Sequence, residues 1–145
     1  MIIEAANGIS GMDSSLDETK PVIWIVDREQ WPRASLRALL LDRGFDALGF
    51  IELDGALAAL KDPHYPKPFI VVLELHGLTP TEEEVDALTR LSIPMVGLAG
   101  AVEMSQEWIR KIQWAALIQR PNTIGQVVDT IEKLVRGPKR KNHDY

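Results

Sequence analysis

The sequence predicts an α/β domain in which five strands alternate with five helices, a (βα)5 arrangement built on a doubly wound parallel sheet. Short apolar runs rich in β-branched residues alternate with segments whose apolar residues recur at helical spacing. The connections between these segments are short, which is typical of a parallel sheet covered by helices on both faces. The length of 145 residues suits one domain of this kind.

Ten predicted elements follow one another along the chain. Strands and helices alternate, beginning with a strand, over residues 21–26, 31–45, 46–52, 53–62, 69–75, 80–91, 93–99, 103–114, 115–119 and 122–137. The most apolar strand is FIVVLEL at 69–75, which we expect at the centre of the sheet. The segment PHYPKP before it holds three prolines, so it can form only a loop.

The helices are marked by their periodicity and by their ends. The first carries three leucines at helical spacing, Leu36, Leu39 and Leu40. Acidic residues fill the first turn of the third helix, where their negative charge interacts favourably with the helix dipole. The last has Asn122 or Thr123 as its N-cap and Gly137 as its stop.

Composition limits the classes of function. The net charge of −5 and pI near 5.2 argue against a nucleic-acid-binding surface. The chain has no cysteine, no signal-peptide pattern and no apolar run near the roughly 20 residues that a membrane span needs. We therefore expect a cytoplasmic protein with no membrane partner. Residues 1–20 are predicted to be a flexible leader, 21–136 the domain, and 137–145 a basic polar tail.

Charged residues follow the predicted strands at their carboxyl ends, where α/β folds place their sites. Glu74 interrupts the apolar strand in VVLELHG, and a carboxylate there needs a partner, solvent or a function. Asp27 and Arg28 follow the first strand, and Arg120 follows the fifth. We expect these side chains at one edge of the sheet.

Common catalytic patterns are missing from the sequence. It has neither G-x-x-x-x-G-K-[ST] nor G-x-G-x-x-G for phosphate binding, and no G-x-S-x-G for a nucleophilic serine. The three histidines lack metal-ligand spacing. We therefore expect no enzyme and no metal site.

Four segments resemble response-regulator receiver domains (CheY-like). VIWIVDREQWPRASLRALLLDRGFDALGF resembles their first β-α-β unit, and PFIVVLELHGLTP their central strand and the loop after it. IPMVGLAG and AALIQRP are similar to their fourth and fifth strands. The resemblance spans residues 21–136 and implies a flavodoxin-like strand order of 2-1-3-4-5. It also implies a role in two-component, phosphorelay signal transduction.

The resemblance implies a degenerate site. Asp27 matches the first of two acids that hold Mg²⁺ in receivers, whereas Arg28 replaces the second. Glu74 stands at the phospho-accepting aspartate, Ala99 at the switch hydroxyl and Arg120 at the lysine. Arg28 removes a ligand and repels a cation, and Ala99 cannot donate a hydrogen bond to a phosphoryl oxygen. We therefore expect Mg²⁺ binding and conventional aspartyl phosphorylation to be lost.

An arginine fork can instead grip a carboxylate with two hydrogen bonds. Arg28 is expected to pair with Glu74 or Asp27, giving a nearly neutral network with Arg120. The Glu74 carboxylate is expected close to the guanidinium of either Arg28 or Arg120. Partial mimicry of a phosphorylated state by Glu74 is a weaker alternative, because one carboxylate carries less charge than a phosphate.

The favoured function is an interaction module, a pseudo-receiver that binds a signalling protein such as a histidine kinase or another regulator. By the same resemblance, homodimers would form through the fourth helix, fifth strand and fifth helix. Trp108, Trp114 and Leu117 lie in or beside that face, although core packing is the alternative for the tryptophans. The other possibilities are phosphorylation at a non-standard residue, or an enzyme that uses the acidic edge.

Overall fold

The computed structural model describes residues 20–137, and nearly all of the predicted leader and tail lies outside these residues. In chain order the elements are β1 (Val22–Val26), α1 (Gln30–Asp42), β2 (Asp46–Phe50), α2 (Leu53–Leu60), β3 (Ile70–Glu74), α3 (Glu82–Thr89), β4 (Met95–Ala99), α4 (Ala101–Met104), α5 (Glu107–Arg110), β5 (Ala116–Gln119) and α6 (Ile124–Arg136). None of these helices is long and apolar enough to cross a lipid bilayer.

The five strands form one parallel sheet in the order β2-β1-β3-β4-β5, which confirms the predicted fold and strand order. β3 lies at the centre, and its first four residues are buried, as its apolar composition predicts. Glu74, its last residue, lies opposite Leu98 of β4.

Side chains alternate between the two faces of the sheet, and each face has its own apolar cluster. The cluster beneath α1 and α6 contains Ile23, Ile25, Leu40, Val72 and Ile131. The cluster on the opposite face contains Trp24, Val26, Leu73, Leu88 and Ile109. The period of two along each strand therefore fixes which face every strand-end side chain joins.

The single helix predicted over 103–114 is wrong, because two short helices, α4 and α5, occupy this region. The Ser105 hydroxyl donates to the carbonyl oxygen of Val102 at 2.8 Å. Such a bond inside one turn competes with helix propagation and favours a break. The Gly100 N–H donates to the Glu103 carboxylate at 2.7 Å, which starts α4 earlier than predicted.

Thr123, rather than Asn122, is the N-cap of α6. Its hydroxyl oxygen accepts the Gln126 N–H at 3.1 Å, while the Gln126 side chain accepts the Thr123 N–H at 2.8 Å. This capping box fixes where α6 begins, directly after the loop that carries Arg120.

Candidate functional site at the carboxyl edge of the sheet

A cleft of about 580 Å³ opens at the carboxyl edge of the sheet, between the first turns of α1 and α6. Its lining includes Asp27, Glu74, Leu98, Arg120 and Asn122. Three of these residues, Asp27, Glu74 and Arg120, lie two positions after a strand residue that packs in the cluster beneath α1 and α6. Strand alternation therefore brings all three side chains to the same face of the sheet.

Glu74 and Arg120 form a bidentate ion pair. Arg120 Nη1 donates to Glu74 Oε1 at 3.0 Å, and Nη2 donates to Oε2 at 2.9 Å. Oε2 also accepts the backbone N–H of His76 at 2.9 Å. The Glu74 side chain is only 15% exposed, and its hydrogen bonds with Arg120, followed by its charge, raise the pKa of Arg120. The expected pairing of Glu74 with an arginine is therefore present, and the arginine is Arg120.

Glu103, which does not follow a strand end and was not among the predicted site residues, is a second buried acid of this site. Its Oε1 accepts the Gly100 N–H and lies 3.9 Å from Arg120 Nη2, while its Oε2 lies 3.4 Å from His76 Nδ1. The hydrogen bond from Gly100 is the main cause of the lowered pKa of Glu103. Glu103 thus links the loop after β4 to the loops after β3 and β5.

A sequence signal for Glu103 was available. It stands three positions after Gly100, which is the spacing at which an acid in the first turn of a helix accepts the N-cap N–H, although Gly100 has no hydroxyl to complete a capping box. A Cβ on Gly100 would lie 2.9 Å from Glu103 Oε1, so this position leaves room for the carboxylate only while it is glycine.

Arg28 does not pair with Glu74 or Asp27, so that part of the predicted network is wrong. Its Nη1 donates to the carbonyl oxygen of Gly77 at 3.4 Å, and its Nε lies 3.9 Å from Glu52 Oε1. Arg28 follows Asp27 by one position, so alternation turns it toward the α2 side of the sheet. There its side chain stays 57% exposed and keeps its hydration.

Asp27 is buried, with 7% of its surface exposed. Its Oδ1 accepts the Glu29 N–H at 2.9 Å, and Arg33 donates to its backbone carbonyl rather than to its carboxylate. Within residues 20–137, no cation forms an ion pair with Asp27. Burial, followed by the charge of Glu74, raises the pKa of Asp27.

These residues do not fit the Mg²⁺ ion that the resemblance implies. Both Glu74 oxygens are taken by Arg120, and Arg28 offers only hydrogen-bond donors. Among residues 20–137, no three acidic or histidine side chains converge in a way that could hold a metal. Ala99 is fully buried and presents only a methyl group.

The three residues named for the interaction face are packed into the fold. Trp108, Trp114 and Leu117 are each half-buried against the α2–α3 side cluster. A Cβ at Gly97 would meet Leu117 at 2.7 Å and Trp114 at 3.0 Å, so glycine in β4 allows this close packing. These contacts support the core-packing alternative for the tryptophans, and a docking role for the surrounding face stays a prediction.

Comparison with solved structures identifies the fold. The chain is similar to a response regulator receiver protein from Pseudomonas putida, with a TM-score of 0.64, 16% identity, and coverage of 79% of this chain and 97% of that one. For the receiver domain of NtrX from Brucella abortus, the TM-score is 0.63, the identity 23%, and the coverage 80% and 99%.

Full-length FixJ from B. japonicum gives a TM-score of 0.65 and 22% identity, with 85% of this chain matching 62% of that chain. No protein-family model and no curated protein matches the sequence. These similarities show that the chain has the fold of receiver domains.

Proposed function

We propose that this chain, which has the receiver fold, is an atypical receiver domain of two-component signalling. It acts by binding another protein, and it does not use conventional Mg²⁺-dependent aspartyl phosphorylation. The Glu74–Arg120 pair carries this proposal. Glu74 stands where a receiver has the carboxylate that accepts the phosphoryl group, and here both of its oxygens are already hydrogen-bonded to the Arg120 guanidinium.

Phosphoryl transfer depends mainly on positioning and on neutralising charge. Glu74 is longer than aspartate by one methylene, and a displacement of about 1 Å at a reacting centre can cost about a hundredfold in rate. An attacking Glu74 would also first have to leave two charge-assisted hydrogen bonds with Arg120. Ala99 adds no hydroxyl to hold a phosphoryl oxygen.

The partner that suits this role is a signalling protein, a histidine kinase or another regulator. The chain itself then has no enzymatic activity, and its output depends on its surface. The side-chain network of Glu74, Arg120, Glu103 and His76 supports a fixed binding surface, because it joins three loops at the carboxyl edge without a metal.

Labelling with acetyl phosphate, with and without Mg²⁺, tests the proposal. We expect no labelling of the wild type. Arg28→Asp with Glu74→Asp should recover Mg²⁺ binding in a calorimetric titration, because positions 27, 28 and 74 line the same cleft and would then carry three aspartates. Adding Ala99→Thr and Arg120→Lys should then permit labelling. Arg110→Asp with Glu107→Asp, two exposed changes on α5, is the matched control and should gain neither property.

Two results would count against the proposal. Stoichiometric labelling of the wild type would favour the alternative, a receiver phosphorylated at a non-standard residue, and mapping the modified side chain would identify it. Absence of Mg²⁺ binding in the Arg28→Asp, Glu74→Asp variant would mean that the assignment of these positions is wrong.

A further inference from the structure

An apolar groove of about 420 Å³ runs between α2 and α3, on the side of the sheet away from the cleft. Its apolar wall comes from half-buried side chains, Leu57, Leu60, Ala87 and Leu91. Its rim is charged and consists of Lys61, Glu83, Glu84 and Arg90.

The charges of this face are sorted by sign along both helices. In α3, Glu83 lies at the start and Arg90 follows the end, seven positions later. In α2, Asp54 lies in the first turn and Lys61 follows the end, also seven positions later. A spacing of seven residues is two helical turns, so each pair shares one helix face, about 10 Å apart along the axis.

These charges are available to a partner. Within residues 20–137, none of Asp54, Lys61, Glu83 and Arg90 forms an ion pair. Glu84 differs, because its carboxylate accepts the Thr81 N–H at 2.9 Å in the α3 capping box. The basic end also holds Lys67, which donates to the carbonyl oxygen of Leu60 at 2.6 Å.

We propose that the α2–α3 face binds a second copy of this chain in a two-fold symmetric dimer. The two-fold axis lies in the interface and perpendicular to the helices, so that the helices of the two copies run antiparallel. This places Glu83 against Arg90 of the other copy, and Asp54 against its Lys61, each twice. The apolar walls of the two grooves meet between these charged ends.

Charge complementarity is the reason for choosing a second copy as the occupant. A partner surface of one sign would attract one end of the groove and be repelled by the other. The two-fold copy offers the opposite sign at both ends at once, as an isologous interface requires. This face differs from the one predicted from the fourth helix and fifth strand, and the proposal does not depend on the function proposed above.

Sedimentation equilibrium of the full chain at about 50 mM salt, where screening is weak, tests the proposal. The wild type should dimerise, and added salt should weaken the dimer. Glu83→Arg or Arg90→Glu should each raise the dissociation constant at least about tenfold, since each reversal creates two repulsive contacts per dimer. An equimolar mixture of the two variants should recover association, because one copy then carries only bases and the other only acids at these positions.

Lys133→Glu on α6 is the matched control, because Lys133 is exposed and lies away from the groove. It should leave the dissociation constant unchanged within about twofold. Circular dichroism of each variant checks that it is folded. A monomeric wild type under these conditions overturns the proposal. A dimer that is weakened by Lys133→Glu but not by the α3 reversals, or no recovery in the mixture, also overturns it.

Discussion

At the scale of single residues, the site is held by carboxylates in different surroundings. Glu74 has both oxygens on Arg120, and Glu103 accepts a backbone N–H and lies near Arg120 and the His76 ring. Asp27 is buried beside a backbone donor, and among the described residues no arginine forms an ion pair with it. The hydrogen bonds of Glu74 and Glu103 therefore stabilise the carboxyl edge of the sheet, whereas the buried charge of ionised Asp27 destabilises the folded state.

Glu74→Ala should lower the free energy of unfolding by about 1–3 kcal/mol, because it leaves the half-exposed Arg120 without its fork partner. A double-mutant cycle of Glu74 and Arg120 in urea unfolding should give a coupling of about 1 kcal/mol. The cycle of Arg28 and Glu52, which are 3.9 Å apart and well exposed, is the control and should give less than about 0.5 kcal/mol. Equal couplings in the two cycles would contradict this view of the pair.

Asp27→Asn should stabilise the protein at pH 7 and do so less at low pH. The pKa of Asp27 is raised by burial, so the folded state binds its proton more tightly than the unfolded state. Protonated Asp27 therefore contributes to the stability of the folded protein. This contribution is fully present below the pKa of Asp27 in the unfolded chain, near 3.8, and is lost as the pH rises through its higher pKa in the folded protein. Asparagine carries no charge to lose, and its Oδ1 can still accept the Glu29 N–H.

Urea unfolding of both proteins between about pH 3.5 and pH 7 measures the difference. Asp46→Asn is the matched control, because Asp46 also accepts a backbone N–H but is exposed. An advantage of Asp27→Asn that stays constant across this range, or that grows toward low pH, would show that the buried charge is not its cause.

The convergence of Asp27, Glu74 and Arg120 could be predicted from the sequence. Each lies an even number of positions after an inward-facing residue of its strand, so all three side chains point to the same face of one parallel sheet. The same alternation would have placed Arg28 on the other face. What the strand pattern could not supply is Glu103, since it lies in a helix of four residues whose position depends on the loop after β4.

At the scale of elements, glycines decide how closely strands and helices approach. Gly97 in β4 lies under the side chains of Trp114 and Leu117, whereas Gly55 in α2 has no heavy atom within 4 Å of a Cβ position. The same change from glycine to alanine therefore meets opposite surroundings at these two positions.

Gly97→Ala should cost about 1–3 kcal/mol, because its methyl group would overlap Leu117 and the Trp114 ring. Gly55→Ala should instead stabilise by about 0.5–1 kcal/mol, since alanine favours the helix and has space. Thermal or urea unfolding of the two variants is the test. A neutral Gly97→Ala would mean that the two side chains move aside at little cost.

The ends of the elements could be predicted where a residue near the end, such as an N-cap, marks them in the sequence. Periodicity placed all five strands and located α1, α2, α3 and α6, and the threonine cap marks the start of α6. The region between β4 and β5 was predicted wrongly, because apolar spacing over 103–114 does not reveal the side-chain bond of Ser105 that breaks the helix.

At the scale of the whole molecule, the sheet separates two apolar clusters, which share no side chain among residues 20–137. Leu88 belongs to the cluster under α2 and α3, while Leu40 and Ile131 belong to the cluster under α1 and α6. The strand order that produces this division was expected from the resemblance to receivers, because apolar periodicity by itself does not specify which strands are neighbours.

Leu88→Ala and Ile131→Ala should each cost about 2–5 kcal/mol, and their effects should add within about 0.5 kcal/mol across the sheet. Leu40→Ala with Ile131→Ala should deviate more from additivity, because both side chains line one cluster. Urea unfolding of the single and double variants measures both terms. Stronger coupling across the sheet than within the cluster would contradict the division into two cores.

The fork between Glu74 and Arg120 also has a consequence for time. A phosphoryl group on a carboxylate is removed by hydrolysis, so the hydrolysis rate limits how long a conventional receiver stays phosphorylated. A guanidinium that belongs to the chain cannot be cleaved away, and no phosphatase can reset it. Under the proposed function, the duration of the response is then set by how long the polypeptide persists in the cell, through its synthesis, degradation and dilution by growth.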